Sequence, residues 1–233
     1  MSNQKWVIIV AGGSGSRMQT ETPKQFLDLH GKPILMRTIS AFADACEGVL
    51  PVVVLPPSQI DKWLKLCEIH DFRLPHRVVE GGSTRFQSVK NGLISLPDNG
   101  LVAIHDGVRP LVSRQTVIDC FHAASIYGCA VPAIPVVDTV REINGSKNRL
   151  IDRSKLCLIQ TPQVFDIAKL KKAYGQEYLP SFTDDAAVYE NAGNTIHLTD
   201  GNVENIKITA PNDLIVAEAM ICRINECHEK VYI

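Results

Sequence analysis

The sequence predicts an α/β fold: a mostly parallel sheet with helices on both faces, from which a β-hairpin projects as an arm. Three observations lead there. Short apolar runs rich in β-branched residues, Val7 to Val10 and Val49 to Leu55 among them, alternate with segments of helical period. Two such runs empty into glycine turns, at Gly12 and at Gly81. Between Val137 and Ile159 the pattern changes to two-residue alternation around Asn144-Gly145, a strong hairpin signal.

Composition narrows the class. The 233 residues can bury a sizeable core, and no repeat or linker divides them, so residues 1–233 read as one domain with an arm at about 137–156. A net charge of -1, with 45% hydrophobic and 21% charged residues, argues against a generally basic nucleic-acid binder. No apolar stretch approaches membrane-span length and no signal-peptide core follows Met1, so a cytoplasmic protein is expected. The seven cysteines are scattered without a Cys-x-x-Cys pair, which predicts reduced, apolar thiols rather than a zinc site or disulfide framework.

Val7-Ile8-Ile9-Val10 suits one buried strand and is too short for a helix. It runs into Ala11-Gly12-Gly13-Ser14-Gly15, where missing side-chain bulk would let backbone amides cradle an anion. Arg17 and Lys24 follow, and two cations behind such a loop suit a polyphosphate. The stretch is not a P-loop, because Gly-x-x-x-x-Gly-Lys-Ser/Thr is absent. Nor is it a dinucleotide fingerprint, because Met18 stands where the third glycine belongs. By itself the loop fits an ordinary βα turn with two solvated cations equally well.

Gly31-Lys32-Pro33 reads as a turn, and Ile34, Leu35, Ile39 and Phe42 recur at helical spacing to about Ala45. After the strand ending at Leu55, Ser58 is expected to cap a helix whose face carries Ile60, Trp63, Leu64 and Cys67. Arg77 to Glu80 is a short strand opening on Gly81-Gly82-Ser83-Thr84-Arg85, a second source of free amides at a helix start. Leu101 to Ile104 is a buried strand delivering His105-Asp106-Gly107-Val108-Arg109-Pro110 to its C-terminal end, the edge where open α/β sheets collect ligands. Asp106 could position a magnesium–triphosphate complex, and Arg109 would face substrate or orient Asp106; His105 reads better as a structural residue.

Thr116 to Tyr127 is helical, and Gly128 to Val136 a strand interrupted by prolines. Asp138 to Ile143 and Leu150 to Arg153 form the hairpin, which has little of its own to bury and so needs a partner, most simply a second copy of the chain. Gln160 to Phe165 reads as a turn before a helix from Ile167 to Gly175. Thr183-Asp184-Asp185-Ala186 reads as a surface capping box, Thr195 to Leu198 and Asn205 to Thr209 as strands, and Pro211 as the start of a packing helix.

Ala-Gly-Gly-x-Gly-x-Arg-Met with Pro23-Lys24-Gln25 resembles the signature loop of sugar- and polyol-phosphate nucleotidyltransferases. Gly-Gly-x-x-Arg-x-x-Ser-Val, His-Asp-x-x-Arg-Pro, Gln-Thr-Pro-Gln-x-Phe and Asn-Ile-Lys-x-Thr extend the likeness across nearly the whole chain. Together they resemble the 2-C-methyl-D-erythritol 4-phosphate cytidylyltransferase family. The resemblance implies a Rossmann-like sheet, a homodimer interlocked through the arm, and cytidylyl transfer from CTP with Mg²⁺. It implies catalytic roles for Arg17, Lys24, Asp106 and Lys207, with Asp106 touching the metal indirectly. A nucleotide site of Ala11, Gly12, Gly13, Gly15, Gly81, Gly82, Ser88 and Gly107 follows, its small residues admitting a pyrimidine more readily than a purine. Arg109, Thr139, Arg153 and Thr183 would bind the methylerythritol phosphate, Thr139 and Arg153 in the neighbouring subunit's site. Ser83 departs from the acidic residue that relatives often carry, so a carboxylate contact to the cytosine amino group is not expected. A ribitol 5-phosphate cytidylyltransferase shares several of these motifs, but Asp152-Arg153-Ser154-Lys155-Leu156 resembles the methylerythritol enzymes more. A non-catalytic nucleotide-binding module on the same fold would be expected to lack the loop cation or the strand-end carboxylate.

Overall fold

The computed structural model of the chain describes residues 4–12 and 22–229, with side chains as far as Arg223. The first apolar run is β1 (Lys5–Val10). A 3-10 turn at Lys24–Phe26 leads to a two-residue hairpin of β2 (Asp28–Leu29) and β3 (Lys32–Pro33). Its turn is His30-Gly31, both at positive φ, one residue earlier than the sequence reading placed it. Next come α1 (Ile34–Ala45), β4 (Leu50–Leu55), α2 (Pro57–Ile69), β5 (Arg77–Glu80), α3 (Arg85–Ile94) and β6 (Leu101–Asp106). Ser58 does not cap α2. Pro57 occupies the first helical position, where a missing N–H costs nothing, and Pro56 precedes it without a side-chain cap.

The second half holds α4 (Arg114–Tyr127), capped by Ser113 and ended by Gly128 in the left-handed region, then β7 (Cys129–Pro135). The hairpin is β8 (Val140–Asn144) paired with β9 (Lys147–Ile151), and Arg153 falls beyond it in a 3-10 turn. β10 (Cys157–Ile159), β11 (Gln163–Asp166), α5 (Ile167–Ala173), α6 (Asp185–Asn191), β12 (Leu198–Asp200) and α7 (Pro211–Glu229) complete the chain. The segment read as a turn before α5 therefore contains a strand, β11, buried between β6 and β7. The expected strand at Asn205–Thr209 is a segment without a ladder instead, entered through turns and tied near its end by Ile208 N–H to the Val108 carbonyl at 3.0 Å.

The main sheet runs β10-β7-β11-β6-β1-β4-β5, with β12 beside β7. β6, β1, β4 and β5 are parallel, while β11 is antiparallel to both neighbours. Alternation along β1 sends Val7 and Ile9 to one face, against Met36, Ile39 and Phe42 of α1 and Phe121 of α4. Trp6 and Ile8 go to the other face, against Val89 and Leu93 of α3 and Leu170 of α5. Burial of each large side chain contributes roughly 1.5–3 kcal/mol, so the β1 strand is fixed from both sides. Trp63 is wholly buried and stacked near Phe26, as expected of a packing residue, whereas Leu64 is exposed and Leu66 takes its place against the core. Among the described side chains of α7, Leu214, Ala217 and Ile221 pack inward, and Ile215 and Cys222 are exposed. The cysteines with described side chains are free thiols. Among the described residues, no helix is long and apolar enough to cross a membrane.

Candidate active site

From β1 the chain steps to β4 and β5 on one side, then returns to β6 on the other side of β1. The C-terminal ends of β1 and β6 thus flank a topological switch point, where open parallel sheets leave a crevice. A cavity of about 220 Å³ opens there, lined by Ala11, Gly12, Lys24, Gly82, Ser83, Arg85, Ser88, Asp106 and Lys207 among others.

Each wall is held by its own hydrogen bonds. Gln25, almost fully buried, donates from Nε2 to the Ala11 carbonyl at 2.7 Å, which pins the turn bearing Lys24 to the exit of β1. Ser88 Oγ on α3 accepts from the Gly82 N–H at 3.1 Å and donates to the Thr84 carbonyl at 2.9 Å, bracing the loop that forms the opposite wall. A Cβ on Gly82 would lie 2.1 Å from Gln87 Cγ, so only glycine lets this loop pass so close to its own helix. Gly107 is small for another reason: its Cβ would meet Ala11 Cβ at 2.9 Å, where the ends of β1 and β6 touch.

Asp106, at the tip of β6, is the centre of charge. Its Oδ2 lies 3.1 Å from Arg109 Nε and 3.1 Å from Lys207 Nζ, and its Oδ1 lies 3.9 Å from Arg85 Nε. Burial would raise this carboxyl, but Arg85, Lys207 and Arg109 outweigh it and hold Asp106 well below the usual carboxylate range. Beyond Asp106 a second cavity of about 270 Å³ is lined by Arg85, Asp106, Arg109, Thr161, Gln163, Thr183, Asp184 and Lys207. Asp106, Arg85 and Lys207 therefore form a wall common to both cavities.

The neighbouring side chains lock that wall in place. His105 is wholly buried; its Nδ1 lies 2.9 Å from Thr161 Oγ1 and its Nε2 3.0 Å from the Arg109 carbonyl. The Arg109 carbonyl can only accept, so the neutral imidazole donates from Nε2 and its Nδ1 accepts from the Thr161 hydroxyl, whose Oγ1 also accepts the Asp106 N–H at 3.1 Å. Burial pushes His105 down to about 4, which keeps it neutral and structural. Arg109 Nη1 donates to the Asn205 carbonyl at 2.7 Å, and Asn205 Nδ2 to the Thr161 carbonyl at 2.7 Å, which ties the segment carrying Lys207 to β11's approach.

The structure brings Ala11, Gly12, Lys24, Gly82, Ser88, Asp106 and Lys207 together at the first cavity, and Arg109 and Thr183 at the second. Gly13, Gly15 and Arg17 lie outside the described residues. Gly81 and Gly107 do not line the first cavity; Gly81 sits behind Ser88, and Gly107 serves the strand contact. Thr139 and Arg153 line neither cavity, and Arg153 Nη1 donates to the Val137 carbonyl at the arm's base. The supposed surface capping box is on the surface only in part: Thr183 is exposed and Asp184 half-buried, but Asp185 is not. Asp184 caps α6 by accepting the Ala187 N–H at 2.9 Å, and Asp185 is wholly buried against Arg85 and Tyr174.

Sequence reasoning missed Arg85 and Gln25 as parts of the site. A signal for Arg85 was present: a cation at the first residue of α3 opposes the helix dipole, so it requires a carboxylate from elsewhere.

Comparison with known proteins agrees with this geometry. Residues 6–223 match the family model described as IspD, 2-C-methyl-D-erythritol 4-phosphate cytidylyltransferase. A protein of that name from Bacteroides fragilis is 50% identical over 214 residues, 92% of this chain and 98% of the relative. Another, from Porphyromonas gingivalis, is 46% identical over 222 residues, 95% and 99% of the two chains. The crystal structure of the Thermus thermophilus protein so named superposes with a TM-score of 0.75 at 35% identity, covering 93% of this chain and 98% of that one. With residues 6–223 of the chain matched by the model and relatives about half identical over more than nine-tenths of both chains, the chain belongs to the 2-C-methyl-D-erythritol 4-phosphate cytidylyltransferase family.

Proposed function

We propose that the protein transfers a cytidylyl group from CTP to 2-C-methyl-D-erythritol 4-phosphate, giving 4-(cytidine 5'-diphospho)-2-C-methyl-D-erythritol and pyrophosphate for isoprenoid biosynthesis. The observation that carries the reading is the cation-ringed Asp106 wall shared by two cavities, one suited to a nucleotide and one to a small phosphorylated acceptor. An acceptor phosphate is ionised at neutral pH, so its oxygen can attack the α-phosphorus without a general base. Catalysis is then positioning and charge stabilisation. Lys24 and Arg17 neutralise charge on the triphosphate, Lys207 serves the phosphates from the far wall, and Arg109 and Thr183 hold the acceptor.

The residues fit Mg²⁺ in one way. Among the described residues no group of three His, Cys, Asp or Glu gathers into a cage, but Mg²⁺ is commonly held by one or two carboxylates together with substrate phosphates. Asp106 is the carboxylate that would face such a complex, and the ion would supply charge neutralisation at the phosphates. The ring of cations keeps Asp106 ionised for that task.

Residues 1–233 act as one cytoplasmic catalytic unit, and the arm joins two copies. Val137, Ile143, Leu150 and Leu158 are exposed apolar residues on or beside it, more than a hairpin can cover alone. In the dimer Thr139 and Arg153 reach the neighbour's acceptor site. Pyrophosphate release from CTP, measured in parallel with methylerythritol phosphate and ribitol 5-phosphate, tests the reading. Turnover with the first acceptor and little with the second is expected. The reverse preference would make it a ribitol enzyme, and CTP binding without turnover on either would make it a non-catalytic module.

A further inference from the structure

Asp185 is wholly buried and lies 100 residues from the arginine it holds. Arg85 donates from Nη1 to Asp185 Oδ1 at 3.1 Å and from Nη2 to Oδ2 at 2.6 Å, and Tyr174 Oη donates to Oδ1 at 2.6 Å. With both Nη groups committed, Nε is the edge left facing Asp106, 3.9 Å from Oδ1. The other Asp106 oxygen is held by Arg109 and Lys207. Asp106 is thus gripped from two sides, and the grip on Oδ1 is set from behind by a carboxylate that lines neither cavity.

Asp185 is itself anchored to the sheet. Gln163 on β11 donates from Nε2 to Asp184 Oδ2 at 2.8 Å and accepts the Ala186 N–H at 2.8 Å, which ties the first turn of α6 to the strand beside β6. A buried ion pair of this kind is weak evidence for net stability, because desolvation consumes much of its Coulombic gain. What the bidentate geometry does secure is direction: a planar guanidinium fixed at two corners has one orientation.

We infer that Asp185 is a positioning residue for cytidylyl transfer, acting through Arg85 to hold the Asp106 carboxylate in the wall between the two cavities. This rests on the function proposed above. Removing the Asp185 charge releases the guanidinium toward Asp106 and shifts the carboxylate out of register with the triphosphate. Nucleotide binding through the Gly82 loop and Ser88 is untouched.

The test is a kinetic cycle with CTP, Mg²⁺ and methylerythritol phosphate on the full-length wild type, Asp185→Asn, Arg85→Gln and the double variant, below the melting temperature of all four. Asp185→Asn is expected to lower kcat at least about tenfold while changing KM for CTP by less than about threefold, and Asp185→Glu to recover part of the loss. Because Asp185 works through Arg85, the double variant is expected to be no slower than Arg85→Gln alone. Losses that multiply in the double variant, or an Asp185→Asn protein with full kcat and only a lower melting temperature, would overturn the inference. Should Asp185→Asn fail to fold, Tyr174→Phe replaces it: about a two- to fivefold loss of kcat is expected with Arg85 present and none in Arg85→Gln, and equal losses in both would overturn it. A wild type that releases no pyrophosphate refutes the transfer reading itself, and the inference with it; an active wild type with a multiplicative cycle refutes the inference alone.

Discussion

His105 gives the most direct physical test of how the site is held. It is wholly buried, its Nδ1 accepts from Thr161 and its Nε2 donates to the Arg109 carbonyl, and burial pushes it down to about 4 from the ordinary 6.5. Desolvation is the largest cause; the hydrogen bond to the Arg109 carbonyl and the Asp106 charge oppose the shift, and the Arg109 charge supports it. As pH falls through 6.5 the unfolded chain takes up a proton at this position and the folded chain does not, so acidification stabilises the unfolded state relative to the folded one. Stability from this residue is therefore complete above pH 6.5, declines between 6.5 and 4, and levels off below. At about 1.4 kcal/mol per pH unit, the window corresponds to about 3 kcal/mol. The assay is urea unfolding of the wild type and His105→Gln at intervals from pH 7.5 to 4, where the other histidines and the carboxylates titrate in both proteins and cancel. The wild type's advantage over the variant should shrink by about 3 kcal/mol across the window. Parallel curves would mean that His105 is protonated in the fold, and the hydrogen bonding assigned to it would be wrong.

Three further perturbations address the site and the arm. Lys24→Ala should leave the protein folded and depress turnover by on the order of a hundredfold, by analogy with removal of one preorganised oxyanion donor; near-normal pyrophosphate release would take Lys24 out of the mechanism. Gly107→Ala forces a Cβ to within 2.9 Å of Ala11 Cβ and should cost about 1–3 kcal/mol in denaturant unfolding, with Ala11→Gly restoring part of it; a variant of unchanged stability would refute the tight strand contact. Ile143 and Leu150 lie on one face of the β8–β9 ribbon, paired across the strands with Asn148 and Arg141, and replacing both with aspartate should convert the proposed dimer to monomer in light scattering. An unchanged mass would move the dimer contact elsewhere.

How much of this was legible in the sequence depended on whether a segment's character was local. β1, β4, β5 and α1 are, since β-branched runs and a helical stripe need only their own residues to declare themselves, and their observed bounds fall within a residue or two of those read. β11 was not. It has only Val164 and Phe165 as apolar signal, between polar Gln163 and Asp166, and becomes a strand because β6 and β7 bury it from both sides. Asn205–Thr209 failed in the opposite direction. Ile206 and Ile208 alternate because Leu29, Ile34 and Val108 lie on one side of them, which gives a strand's periodicity without a ladder beside it. The capping signal at Thr183–Asp185 was sound as a helix start, yet the burial of Asp185 could not be read from it, because its partner Arg85 is remote in the chain.

The same remoteness explains why the chemistry read from motifs was partial. Lys24 stood out beside a glycine loop and Asp106 at a strand end, where a charged residue has little structural reason to be, and Lys207 through the likeness of Asn-Ile-Lys-x-Thr to the family motif. What the motifs did not contain was the order in which the charges depend on one another. Three cations facing one carboxylate would repel each other strongly if Asp106 were neutral, and two of them, Arg85 and Arg109, are tied down independently by Asp185 and the Asn205 carbonyl. Lys207 has the most exposed side chain of the three and, among the bonds described, is held at its charged end by Asp106 alone. In the proposed reaction it is the cation freest to leave the carboxylate for an arriving phosphate, while Arg85 and Arg109 keep Asp106 ionised and in place. The wall is therefore built from two fixed cations and one that can be redistributed, and this division follows from which of them has a second anchor.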